Sequence, residues 1–524
     1  MKRDFSLLRQ TQQFDLLVCG GGIYGAWTAY DAALRGLKVA IVEQGDWASA
    51  TSSASSKLIH GGLRYLESYD FKLVKKALAE RKRLLHSAPH RVWPLRFGVP
   101  VYADSRIGRL QLKLGLMLYD FLAGRSDRKL LHRYFSRQKF SMRFSSLDKA
   151  GLKGGFTYGD AQTDDARLVL ELIAGAMQAG AVCVNYCKLA AFMEQQGQVN
   201  GAIVVDQLSG LSSEIYAKQI VCTTGQWSAA AGESSNWCRV TKGVHLIMPA
   251  VLEEEALLLT AKADGRVFFM IPWYGRTIVG TTDTDYEGDM QHVVAEEKEL
   301  AYLLDAANHY LKIPWSTADV IGSYAGLRVM KRSEKDSPSA VSRDWELKTA
   351  GNGVHYSIGG KITSAREDAS SIVDKVCHQL RINVSCTSGS RLFPWAPEED
   401  YSVWRTAIGI QASALNIDDE SSKWLMRRHG IHVAEIFRDI ENNPALAERI
   451  VPTIPLIQAD LLYCARKEMV VHLEDLLRRR TPLIILNKID IVELRKLAGL
   501  VAAALGWDDS MIEIEVAACQ HYSR

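Results

Sequence analysis

FDLLVCGGGIYGAWTAYDAALRGLKVAIVE, Phe14 to Glu43, is the stretch that decides the fold. Phe14–Cys19 is a short apolar run of strand type, and Gly20, Gly22 and Gly25 then form G-x-G-x-x-G. Ile23–Arg35 carries its apolar residues at helical spacing, Gly36 stops that helix, and Lys38–Val42 reads as a second strand. Glu43 closes the unit, 23 residues after Gly20. Glycines let a backbone approach a pyrophosphate, a helix N-terminus offers N–H groups and a positive dipole end, and an acid at this distance can accept from a ribose hydroxyl. Strand, glycine turn, helix, strand and acid in this order predict a dinucleotide site on a Rossmann-type α/β domain.

The next stretch, EQGDWASATSSASSKLIHGGLRYLE (Glu43–Glu67), is dense in hydroxyls and glycine. Thr51, Ser52, Ser53, Ser55 and Ser56 lead into Lys57, Leu58, His60, Gly61, Gly62, Arg64 and Tyr65. Such a run suits a loop that crosses a phosphate and then passes a flat ring; standing alone, it would read as a flexible surface loop.

At 524 residues the chain should hold two or three domains, and its 47% hydrophobic and 23% charged residues are those of an ordinary globular protein. A net charge of +3 gives no reason to expect nucleic acid. The nine cysteines form no C-x-x-C pair and no metal-like spacing, which predicts buried thiols in a cytoplasmic protein and no metal site. MKRDFSLLRQTQQ at the start lacks the apolar core of a signal peptide, and no run approaches the ~18–20 apolar residues of a spanning helix.

Further along, Thr163–Gly180 reads as a capped helix, and Ala202–Asp206, Ser213–Ala217 and Gln219–Thr224 read as strands, the last ending at Gly225. Arg239–Pro249, Arg266–Trp273 and Arg276–Asp283 alternate and carry β-branched residues, which predicts an antiparallel sheet. Val294–Leu311 reads as a helix, and Ile321–Arg343 and Trp345–Ile358 as the last strands, before Gly359, Gly360 and Lys361. From about Arg391 the texture is helix-rich and charged. The expected division is 1–390, a discontinuous nucleotide domain with a substrate sheet mainly in 80–150 and 235–345, and 391–524, a helical domain.

GGGIYGA together with ATSSASSKLIHGGLRYLE closely resembles the FAD-dependent glycerol-3-phosphate dehydrogenases, respiratory flavoenzymes that oxidise sn-glycerol 3-phosphate to dihydroxyacetone phosphate. The resemblance continues at GTTD (Gly280–Asp283), at TTGQW (Thr223–Trp227) and at Ala459–Thr481. It implies an FAD domain with an inserted antiparallel substrate sheet, as in D-amino-acid oxidases, and a C-terminal helical domain. FAD would be held by Gly20, Gly22, Ile23, Tyr24, Gly25, Glu43, Thr51, Ser52, Ser53, Ser56, Lys57, Leu58, His60, Gly61, Gly62, Thr224, Gly225, Gly359, Gly360 and Lys361. No second G-x-G-x-x-G follows residue 36, so a small organic substrate, not NAD(P)H, should reduce the flavin.

Oxidising a secondary alcohol with a flavin needs a base for the hydroxyl proton and cations for the anionic end of the substrate. By resemblance, Arg64, Tyr65, Arg328, Arg343, Lys361 and Thr363 line the substrate site, with Arg328 and Lys361 at the reacting end. His60, before the Gly-Gly turn, and His245, on a strand of the substrate sheet, are the candidate bases, with His355 a third. The chain departs from the family pattern at Val329, at Gln226 and at Leu392–Trp395, which leaves open an oxidase of another small 2-hydroxy or amino acid that delivers electrons to oxygen; a non-catalytic flavoprotein is the other alternative, against which Arg64, Arg328 and Lys361 argue.

Arg109–Leu122 is apolar on most sides but too short to span, and the segment after it, Arg125–Arg143, is rich in Lys and Arg. An apolar helix with a basic flank suits an anionic membrane surface, and it equally suits a buried helix beside a solvated loop. The resemblance favours the first: a peripheral protein on the cytoplasmic face of the inner membrane, delivering electrons to a quinone. It also allows a homodimer.

Overall fold

The computed structural model describes residues 1–124, 128–229, 237–332 and 344–520. Two sheets carry it. In the first, Phe14–Cys19 lies between Ser212–Cys222 and Val39–Val42, all parallel, with Val182–Val184 outside Val39–Val42 and His355–Ile358 outside Ser212–Cys222. These strands are buried on both faces, so they read as unbroken apolar runs, not as alternation. Ile23–Leu34, Asp165–Gln178 and Ala365–Leu380 cover the sheet and share one core built on Trp27, Ile41, Leu172 and Val373.

The segments Ser213–Ala217 and Gln219–Thr224, expected as two strands, are one. Its first half pairs antiparallel with Gln198–Asp206 and its second half parallel with Phe14–Cys19. Val294–Leu311 shortens to a helix over Glu297–Asn308, started by a capping box in which Glu296 and Glu299 satisfy each other's backbone.

The second sheet is almost wholly antiparallel. Cys238–Pro249 pairs with Arg276–Gly280 and Gly322–Lys331, and the order runs on through Val267–Trp273, Ala256–Thr260, Val92–Tyr102 and Leu152–Thr163 to Leu58–Ile59. Leu152–Thr163 is a long strand that the spacing does not predict, because Gly154, Gly155 and Gly159 interrupt it. Those glycines are packing sites. A Cβ on Gly155 would stand 2.3 Å from the Phe140 ring, and one on Gly159 2.5 Å from Leu130.

After residue 390 come helices Tyr401–Ala414, Asp419–His429, Val433–Asn442, Gln458–Lys467, Ile491–Leu505 and Asp509–Cys519. All nine cysteines are free thiols, eight of them buried. Among the described residues no helix is long and apolar enough to cross a membrane.

Candidate active site

The strand Phe14–Cys19 ends at Gly20, whose φ of +111° only glycine adopts without strain. Gly22 caps the helix Ile23–Leu34 without a side-chain acceptor, and Ile23 N–H donates to Ser52 Oγ at 2.9 Å. Gly25 is a packing residue: a Cβ there would stand 1.8 Å from Gly20 O and 2.7 Å from Thr223 Oγ1. The Glu43 carboxylate accepts from Gly21 N at 2.6 Å and Gly45 N at 2.8 Å. Burial raises its pKa, and those two N–H groups pull against the rise.

One cavity of about 630 Å³ runs along these elements. Of the residues that the resemblance assigns to FAD, Gly20, Gly22, Ile23, Tyr24, Glu43, Thr51, Ser52, Ser56, Leu58, His60, Gly62, Thr224, Gly225, Gly359, Gly360 and Lys361 line it. Gly25, Ser53, Lys57 and Gly61 do not. Lys57 turns inward, its Nζ 2.6 Å from Asp165 Oδ1 and 4.7 Å from the centre of the Trp273 ring. Gly61 is a close-approach position, where a Cβ would meet Leu78 and Tyr119 Oη at 2.5 Å. Gly359 and Gly360 have φ of +74° and +97°, and Lys361 N–H donates to Tyr24 Oη at 3.0 Å.

The same cavity is lined by the half-buried cations Arg64, Arg328 and Lys361, with Tyr65 and Thr363. Lys361 Nζ lies 3.8 Å from the centre of the Tyr65 ring, and Arg64 donates to Tyr65 Oη at 3.2 Å. Arg328 is held by Thr281 Oγ1 at 2.8 Å, Thr282 O at 3.2 Å and Asp283 Oδ1 at 3.3 Å. Its guanidinium occupies the space a Cβ on Gly243 would take, 2.3 Å away. Arg343 lies outside the described residues.

The three histidines separate. His60 lines the cavity, its N–H donating to Thr363 Oγ1 at 3.2 Å and its ring edge-on to Phe269. His245 is not among the lining residues: it is 1% exposed, stacks on Tyr324, and shares a hydrogen bond with Ser56 Oγ at 2.8 Å. Burial, and then the charges of Arg328 and Lys57, push its pKa well below the ordinary histidine value. His355 is buried in the first sheet, bonded to Thr349, Gln219 and Gln379, and is likewise not at the cavity.

Leu258 and Phe269 also line the cavity and were not singled out from the sequence. The signal for Phe269 was present, since Val267–Trp273 alternates and Phe268 and Met270 face the core. Leu189 and Phe192 come from the hairpin strand Cys187–Gln195, whose sequence says nothing about a ligand.

The volume falls in the range of about 300–1,000 Å³ usual for small-molecule and cofactor sites. A glycine-lined helix N-terminus, a buried carboxylate and a mixed polar and apolar lining fit FAD, for which Gly20, Gly22 and Ser52 would hold the pyrophosphate and Glu43 the ribose. A parallel nucleotide sheet whose cavity opens onto an antiparallel sheet defines a flavin-dependent oxidoreductase. Residues 15–366 match the family FAD dependent oxidoreductase, and residues 395–512 match the C-terminal domain of alpha-glycerophosphate oxidase. The chain belongs to the FAD-dependent glycerol-3-phosphate dehydrogenase family. It is 34% identical to the glycerol-3-phosphate dehydrogenase of Synechocystis over 99% of this chain and 98% of that one. To the aerobic glycerol-3-phosphate dehydrogenase of Bacillus subtilis it is 33% identical over 92% and 89%. The FAD complex of the glycerol-3-phosphate dehydrogenase from Bacillus halodurans superposes with a TM-score of 0.78 at 27% identity, covering 98% of this chain and 95% of that one.

Proposed function

We propose that this protein oxidises sn-glycerol 3-phosphate to dihydroxyacetone phosphate and passes the electrons to a membrane quinone. The observation that carries the reading is that three cations, Arg64, Arg328 and Lys361, and His60 line the same cavity as Gly20, Gly22 and Glu43. A phosphate dianion calls for several guanidinium or ammonium groups in fixed positions, and Arg328 is already fixed by three oxygen acceptors. The names of the Synechocystis and Bacillus relatives support the same substrate. FAD, when bound, supplies the two-electron acceptor for the carbinol hydride.

The chain's own residues do the rest. Arg328, Arg64 and Lys361 hold the phosphate and the polarised oxygen, and Tyr65 keeps Lys361 and Arg64 in place. His60 takes the hydroxyl proton, since it is the histidine that reaches the cavity. His245 supports the loop from behind through Ser56. Leu258, Val267 and Phe269 keep water from the reacting carbon. The test is anaerobic mixing of FAD-loaded protein with sn-glycerol 3-phosphate. Rapid loss of the visible flavin absorbance, with dihydroxyacetone phosphate formed in equal amount, is expected; an unchanged spectrum overturns the substrate.

The acceptor reading rests on the helix Arg109–Leu122. It turns Leu116 and Tyr119 inward yet leaves Leu110 72%, Leu114 58% and Phe121 66% exposed. Arg128, Lys129, Arg133, Arg137 and Lys139 follow it, all exposed. The helix packs on the turn Leu63–Leu66 that carries Arg64 and Tyr65. An apolar face with a basic skirt beside the cavity suits a peripheral position on the cytoplasmic face of the inner membrane.

A further inference from the structure

The helical domain reaches the nucleotide site through a buried charge cluster that the oxidation does not use. Asp46, three residues after Glu43, is 1% exposed. It accepts from Arg479 Nε at 2.7 Å, from Arg480 Nη1 at 2.5 Å and Nη2 at 2.9 Å, and from Asn185 Nδ2 at 3.2 Å. Both arginines belong to the short π-helix Asp475–Arg480. Arg479 also donates to Asp475 at 2.6 Å, and Arg480 to the carbonyls of Glu468 at 2.9 Å and Met469 at 3.2 Å. Burial alone would raise the Asp46 pKa; Arg480 and Arg479 outweigh it and hold the carboxyl at about 2. Asp46 is therefore ionised at any ordinary pH, and each arginine is anchored to its own domain as well as to Asp46.

From Asp46 the contacts run straight to the cofactor residues. Trp47, next in the chain, donates its indole N–H to Met469 Sδ at 3.2 Å. Its ring lies against Gly21 so closely that a Cβ there would stand 2.5 Å away. Ala48 N–H donates to Gly21 O at 3.1 Å, and Gly45 N–H to the Glu43 carboxylate at 2.8 Å. The turn Gln44–Ala48 thus has the C-terminal domain on one side and the backbone of Gly21 and the acid of Glu43 on the other.

We propose that Arg479 and Arg480 are positioning residues for FAD: through Asp46 they fix the turn Gln44–Ala48, and with it the shape of Glu43 and Gly20–Gly22 that grips the ADP-ribose half. The inference rests on the placement of the cofactor at those residues. Docking of the helical domain and binding of FAD are then one coupled equilibrium, and coupling is reciprocal. Without Arg480, buried Asp46 keeps only Arg479, which it shares with Asp475, so the turn relaxes and the site loses its pre-formed geometry.

FAD affinity of the apoprotein, read by quenching of FAD fluorescence, tests this on Arg480→Gln, Arg480→Lys and Met469→Leu. Arg480→Gln should bind FAD about 5- to 150-fold more weakly, the usual span of a coupling between sites. KM for sn-glycerol 3-phosphate at saturating FAD should not change, and Arg480→Lys should recover part of the affinity. Met469→Leu conserves volume and leaves both arginines in place while removing the acceptor for Trp47, so it should weaken FAD with only a small loss of apoprotein stability. If Arg480→Gln does not fold, Met469→Leu decides. In hydrogen exchange, FAD should slow the amides of 44–48 and of 468–481 together. Arg495→Gln, which breaks an exposed pair with Glu513 in the same domain, serves as control and should leave FAD affinity alone. The inference is overturned if folded variants bind FAD within about twofold of wild type, or if FAD leaves exchange at 468–481 unchanged. Wild-type protein that binds no FAD would instead overturn the placement of the cofactor.

Discussion

Gly25→Ala and Gly22→Ala, neighbours in one motif, should fail in different ways. At Gly25 the new methyl would start 1.8 Å from Gly20 O, and ordinary contact begins near 3.4 Å, so the helix start or the glycine turn must shift by roughly 1.6 Å. The same methyl would stand 2.7 Å from Thr223 Oγ1, which donates to Gly20 O at 2.9 Å and to Cys19 O at 3.1 Å. Overpacking of this kind costs about 1–3 kcal/mol, and loss of the threonine contact adds about 1 kcal/mol. Gly25→Ala should therefore lose roughly 2–4 kcal/mol of apoprotein stability. FAD should be lost with it, because the helix N-terminus moves. At Gly22 the nearest atom is the Ser52 hydroxyl at 3.0 Å, so a shift of a few tenths of an ångström that keeps its bond to Ile23 N–H admits the methyl, at little cost to the fold. Gly22 nonetheless lines the cavity, and on the proposed placement of FAD the methyl should crowd the pyrophosphate. Urea unfolding of both apoproteins with FAD titration separates the two. A Gly25→Ala protein as stable as wild type, or a Gly22→Ala protein with full FAD affinity, would refute the assignment of packing to one glycine and ligand approach to the other.

Arg328→Ala should lower kcat/KM for sn-glycerol 3-phosphate by roughly 2–4 kcal/mol of transition-state binding, a factor of about 30 to 1,000; unchanged constants there and in Arg64→Ala would sink the phosphate reading. His245 has a folded pKa below its unfolded value, so its contribution to stability is present above about pH 6.5 and lost as the pH falls below it. Unfolding of the apoprotein from pH 7 to about pH 5 should show a steeper loss for wild type than for His245→Gln, and parallel curves would contradict the burial of a neutral imidazole. Replacing Arg128, Lys129, Arg133 and Arg137 with Gln should release the protein from anionic vesicles and lower quinone reduction more than reduction of a soluble dye. Salt should mimic this, and wild-type protein that ignores vesicles would remove the membrane reading.

What the sequence discloses here is what is local. The unit Phe14–Glu43 is readable because its caps, glycines and apolar periods lie within 30 residues and each constrains its neighbour. The strands Cys238–Pro249, Val267–Trp273 and Arg276–Gly280 are readable for the same reason. Leu152–Thr163 hides because its glycines are chosen by Phe140 and Leu130, which reach it only in the folded state. Lys57 stands among cofactor residues in the chain, yet its partner Asp165 is 108 residues away, and that ion pair, not the local motif, sets where its ammonium goes. The Asp46–Arg480 contact spans 434 residues, and nothing local at either end says that the two meet. Arg64, Arg328 and Lys361 line one cavity, and only family motifs single them out in the sequence, since nothing in their spacing does.

The loop that follows Glu43 is tied at both ends. Cys187 N–H holds Glu43 O at 2.7 Å, Thr51 Oγ1 donates to Leu327 O at 2.5 Å, and Leu58–Ile59 then joins the edge of the second sheet beside Gln162 and Ala161. Domain closure about a hinge needs a few residues free to absorb large φ/ψ changes between the bodies that move. Here the connecting segment is itself a strand and a run of hydroxyls that lines the cavity, so the two sheets are spliced into one frame. Alcohol and ketone must then come and go past side chains at a fixed mouth, and turnover should depend on solvent viscosity only as strongly as diffusion to that mouth requires.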